Sequence, residues 1–131
     1  MDPEPLLHRV RAACLALPEV VERPSHGTPC WFVRGRKTFV MFADHHHGDP
    51  HVALWAAAPP GVAEQLIDDE PTRFFRPPYV GHRGWVGLRL DLDGADALDD
   101  DELRGLVTDA YRHVAPASLV RLVGGSTPPG R

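Results

Sequence analysis

Apolar side chains at Leu6, Leu7, Val10, Ala13, Cys14 and Leu17 form one stripe at the 3.6-residue period, which predicts a first helix. Pro18 ends it, because proline pushes the preceding residue out of helical geometry. The period then drops to two. Cys30–Arg34 and Lys37–Ala43 read as strands joined by Gly35-Arg36, a two-residue loop with glycine first that suits a type II′ hairpin turn. That register sets Val33 opposite Thr38, Phe32 opposite Phe39 and Trp31 opposite Val40. An earlier strand over Val21–His26 is confined by Pro24 to an edge, and His51–Ala58 reads as a fourth strand. Pro59-Pro60 opens a short helix with Val62, Ala63, Leu66 and Ile67 as its apolar face. Trp85–Asp91 alternates as the last strand. A third helix fits Asp99–Val114, where Asp99 and Glu102 make a capping-box start and Leu103, Leu106, Val107, Ala110 and Tyr111 follow at helical spacing.

The order α-β-β-β-β-α-β-α, with short turns between consecutive strands, predicts an α+β fold. It should be a two-layer sandwich: a five-stranded, mainly antiparallel sheet with the helices on one face. The helical stripes predict burial of Leu7, Val10, Cys14, Leu103, Leu106 and Val107. One domain is expected over residues 1–123, with a fraying tail over 124–131 that is rich in Gly, Pro, Ser and Thr.

Composition narrows the class. At 131 residues, 43% hydrophobic and 24% charged, the chain is that of an ordinary globular domain. No apolar run approaches the ~18–20 residues that a membrane helix needs. The start Met1-Asp2-Pro3-Glu4-Pro5 is unlike a signal peptide, and two cysteines make no disulfide framework, so a cytoplasmic protein with no membrane partner is expected. The net charge of −4 speaks against wholesale electrostatic binding of nucleic acid. Charge is uneven, however. Between Pro71 and Leu90 stand Arg73, Arg76, Arg83 and Arg89 and no acid at all.

Several blocks in succession carry a resemblance. Leu17-Pro18-Glu19-Val20 is followed by His26-Gly27-Thr28-Pro29-Cys30-Trp31-Phe32-Val33 and Gly35-Arg36-Lys37-Thr38-Phe39. Pro77-Pro78-Tyr79-Val80-Gly81-His82-Arg83-Gly84-Trp85-Val86 comes later, then Asp101-Glu102-Leu103 through Ala110-Tyr111-Arg112. Over roughly residues 6–123 the chain resembles the MmcQ/YjbR family. The resemblance implies a small α+β fold related in shape to bacterial frataxin and described as carrying a double-wing DNA-binding motif. It implies no established reaction and no catalytic residues.

Read for chemistry, the residues favour binding over catalysis. His45, His46, His47 and His51 with Asp44 and Asp49 have the donor types of a zinc or nickel site. They sit in one turn, though, where neighbouring side chains diverge, so no required metal and no cofactor is expected. There is no Gly-x-Ser-x-Gly elbow and no phosphate-binding glycine loop, and Glu22 with His26 is the one base-and-orienter pair to consider. A non-enzymatic module is expected. Strand parity, with Phe32 and Phe39 toward the helices, puts Trp31, Trp55, Trp85 and Arg89 on the far face of the sheet. Aromatics with nearby arginines are the chemistry of single-strand stacking platforms. The first expectation is therefore DNA or other nucleic-acid binding, with Arg34, Arg36 and Lys37 on a hairpin wing and Arg73, Arg76, His82 and Arg83 on a second loop. The alternative is a small-molecule or protein-partner site on the tryptophan face, for which a homodimer is one form. A third, weaker reading is a metal-dependent enzyme built on the histidine turn.

Overall fold

The computed structural model describes residues 2–126. Helix α1, Glu4–Leu15, follows Pro3, and it buries Leu6, Val10, Ala13 and Cys14. Leu6 takes the place expected of Leu7, which is half-buried against the core. Helix α3, Asp100–Val114, starts at Asp99, whose carboxylate accepts from the backbone N–H groups of Asp101 and Glu102. Its first turn is acidic and its last carries Arg112 and His113, both favourable to the helix dipole. Leu103, Val107, Ala110 and Tyr111 are buried, and Leu106 is half-buried. A shorter α2, Val62–Asp69, and a single turn α4, Ala117–Val120, complete the helices among the described residues.

Six strands form one fully antiparallel sheet: β1 Val20–Ser25, β2 Thr28–Val33, β3 Lys37–Asp44, β4 Val52–Ala56, β5 Phe74–Phe75 and β6 Val86–Arg89. Their spatial order is β1-β2-β3-β4-β6-β5, so the last strand in the chain lies beside β4 and leaves β5 on the edge. The sixth strand is the two-residue β5, too short to show a period in sequence. Helices α1 and α3 pack on each other and across β3, and α2 packs on β5. The expected tail falls largely outside the described residues. Its beginning lies in a 3-10 turn, Arg121–Ser126.

The β2–β3 hairpin departs from the sequence reading. Arg34 and Gly35 both have positive φ, 55° and 67°, and the Arg36 N–H bonds the Val33 carbonyl, as in a type I′ turn. Val33 then faces Lys37 and Phe32 faces Thr38, but Trp31 still faces Val40, because Phe39 is an extra residue in a β-bulge. That extra residue resets parity. Phe39 meets Tyr111 of α3 edge-on, with ring centroids 5.6 Å apart. Phe32 lies on the opposite face, under Arg23, 4.0 Å from the ring centroid.

Trp31 is corrected accordingly. It points toward the helices and is fully buried, and its indole N–H donates to Glu22 Oε1 at 3.0 Å. Glu22 in turn accepts both N–H arms of Arg11 from α1, at 2.8 and 2.9 Å. Arg11 holds the Glu22 carboxyl below its usual range, burial opposing it, and Glu22 raises the Arg11 guanidinium. This carboxylate is thus bound within the fold, and His26, at the turn beyond β1, is not its partner.

A tryptophan-floored cleft on the far face

The register fixes what remains on the face away from the helices. Cys30 faces Met41, Met41 faces Trp55 and Trp55 faces Gly87, so these side chains form one row across four strands. Trp85, just before β6, joins them. Trp55 is 4% exposed and Trp85 3% exposed, so the two indoles are shielded within one chain. Above them lies a cleft of about 710 Å³. Its floor is Cys30, Thr38, Met41, Trp55 and Trp85.

Three separate turns supply the rim. Ser25, the last residue of β1, is followed by His26 in the β1–β2 turn, where His26 and Gly27 both have positive φ. His46, in the 3-10 turn His46–Gly48, sets its ring edge-on to Trp55 at 5.1 Å. Tyr79, Val80 and Arg83 come from the segment before β6. Tyr79 is 65% exposed, and the Arg83 guanidinium stands 5.4 Å from the Trp85 ring centroid. Burial pushes the Cys30 thiol up to about 11, so it is a neutral thiol at physiological pH and a poor nucleophile.

The other predicted cations are placed differently. Arg73 is 6% exposed and held between Glu70, at 2.5 Å, and Glu102 of α3. That pairing takes Glu102 away from the capping role read from sequence. Arg76 binds Glu64 at 2.8 Å and the Gly81 carbonyl at 2.9 Å, which ties down the segment carrying Tyr79 and Arg83. Arg89 is on the far face as expected, but it donates to the Pro71 and Thr72 carbonyls and covers Phe75. Arg34 pairs with Glu19 at 2.9 Å. Arg36, Lys37 and His82 are exposed, and among the described residues none of them makes an ion pair.

Among the described residues, no three His, Cys, Asp or Glu converge on a metal position. His45 Nδ1 lies 2.6 Å from Asp44, and His51 Nδ1 lies 3.0 Å from Asp91, two residues beyond β6. A second cavity of about 690 Å³ opens on the helix side between α2 and α3, where Glu70, Glu102 and Asp109 stand over Leu66, Phe74 and Leu88. It has neither indole. Sequence reading found Trp55, Trp85 and Arg83 but missed Cys30, Met41, His26, His46 and Tyr79 as cleft residues. The period-two pattern contained Cys30 and Met41, and the pairing of Met41 with both Cys30 and Trp55 puts them in one row with the tryptophan.

The YjbR family model matches residues 15–113, well over half of the chain. The chain belongs to the YjbR family. No curated protein matches it. Among solved structures it is similar to the crystal structure of Deinococcus radiodurans protein DR2400, described by a DUF419 domain, with a TM-score of 0.68 and 17% identity. The match covers 90% of this chain and 87% of the other, and at that identity it establishes the shared α+β fold alone. The YjbR match spans every strand and the cleft, and it stops one residue short of the end of α3. No helix of the described residues is long and apolar enough to cross a membrane.

Proposed function

We propose that this YjbR-family chain is a non-catalytic binding module whose site is the cleft over Trp55 and Trp85. The carrying observation is that two shielded indoles floor a cavity of about 710 Å³, walled by three turns. Small-molecule sites occupy roughly 300–1,000 Å³ and combine apolar walls with a few placed polar groups. An extended strand stacking base by base needs open aromatic faces, which indoles 3% and 4% exposed do not offer. A homodimer built on these tryptophans is disfavoured for the same reason. Two candidate groups support binding without chemistry: Cys30 stays a thiol, and Glu22 is engaged by Arg11.

Indole N–H resonances test this reading, because the three tryptophans separate into two on the cleft and one in the core. Titration with indole and 2-naphthol is expected to shift the Trp55 and Trp85 signals and leave Trp31 in place. Silence at both cleft tryptophans would sink the reading.

Nucleic-acid binding is the second reading. It is favoured by Arg36 and Lys37, which project from the β2–β3 hairpin with no carboxylate partner among the described residues. Arg34, Arg73 and Arg76 contribute less to such a surface, since carboxylates already neutralise them.

A further inference from the structure

Resting on the cleft reading, we infer that the occupant is a planar aromatic anion whose charged group binds Arg83. The charge of the lining is one-sided. Among the described residues no aspartate or glutamate lines the cleft, whereas Arg83 does, with His26 and His46 on the same rim. The cavity on the helix side is mixed, with Glu70, Glu102 and Asp109 alongside Arg112 and His113.

Arg83 is suited to the task by what it lacks and by what it touches. It makes no ion pair among the described residues, unlike Arg73 and Arg76 nearby in sequence. Its guanidinium is held near the Trp85 indole, a contact that leaves N–H donors for a carboxylate or phosphate. Beside it the cleft floor is apolar, with the shielded Trp55 and Trp85 beneath and the half-buried Met41 adding polarizable sulfur, which packs well against a flat π-system. A thiol that stays neutral adds no repulsion toward an anion.

The test uses three probes of one shape on the full chain: 2-naphthoate, 2-naphthyl phosphate and the neutral 2-naphthamide. Binding is followed by the indole N–H signals of Trp55 and Trp85, with Trp31 as internal control. At low salt at least one anion is expected to bind about tenfold or more tighter than the amide, the scale of one charge-assisted bidentate contact. The tighter of the two anions identifies the headgroup as carboxylate or phosphate. Arg83→Gln should bring the anions down to the affinity of the amide, while Arg104→Gln, the same charge change on exposed α3, should not. Equal binding of amide and anions overturns the anion inference and leaves the cleft reading intact. If Arg104→Gln weakens the anions as much as Arg83→Gln does, the assignment to Arg83 fails. If none of the three probes moves either cleft tryptophan, both readings fall.

Discussion

Glu22 shows how much of this fold hangs on single charged side chains. It accepts from Arg11 on α1 and from Trp31 on β2, and so joins the helix layer to the sheet through one carboxylate. Its pKa lies below the usual 4.5, chiefly because of the Arg11 hydrogen bonds. The sign follows from linkage: the stabilisation is complete above the unfolded-state value and is lost as pH falls below it, through the lowered folded-state value. Glu22→Gln is expected to cost about 1–2 kcal/mol at neutral pH, reduced from a fully buried charged bond because Arg11 is partly solvated. It should also flatten the acid side of the stability profile. Urea unfolding from neutral pH down to about pH 3 measures both, and an unchanged acid limb would show that the proton is taken up elsewhere. Arg73 carries a similar lesson. Read along the chain it belongs to an acid-free arginine segment, yet Glu102, supplied by α3, neutralises it. Local composition is blind to carboxylates that arrive from another element.

At the scale of elements, packing detail decides what periodicity leaves open. Gly87 of β6 lies directly under Phe75 of the edge strand, and a Cβ there would stand 2.3 Å from the ring. Gly87→Ala is therefore expected to displace Phe75 and destabilise by about 1–3 kcal/mol, the range for overpacking. In a Phe75→Ala background the added cost should shrink below about 0.5 kcal/mol, as it must if the two positions are coupled. Thermal unfolding of the four-member cycle decides it; additive losses would refute the contact. Helices α1 and α3 were legible because amphipathic stripes depend only on their own residues, and the antiparallel order followed from short turns. The two-residue β5 was not, for it has no room for a pattern. The hairpin was legible in part. Trp31 does face Val40, but the bulge at Phe39 breaks the expected Phe32–Phe39 pair and leaves the two rings on opposite faces. With Phe32 turned outward, the inward face of β2 is the one that carries Trp31. No rule of alternation announces a bulge.

For the whole molecule, the net charge of −4 conceals a division of labour. Most arginines are spent internally, which leaves the Arg36–Lys37 tip as the main cationic projection outside the cleft. If polyanions bind at all, replacing Arg34, Arg36 and Lys37 together by glutamine should weaken retention on immobilised DNA at low salt. The slope of log affinity against log salt should also fall by about 1–2, because each lost phosphate contact spares about one released counterion. No retention of the unaltered chain would remove the nucleic-acid reading and leave the cleft reading untouched. The cleft itself has strands for a floor and turns for walls. Substitution at His26, His46, Tyr79 or Arg83 alters residues outside the strands, whereas Cys30, Met41, Trp55 and Trp85 are part of the sheet's own packing. Recognition can therefore drift quickly between relatives while stability is preserved. Two proteins with this scaffold need share no ligand, and the specificity of each has to be read from its turns.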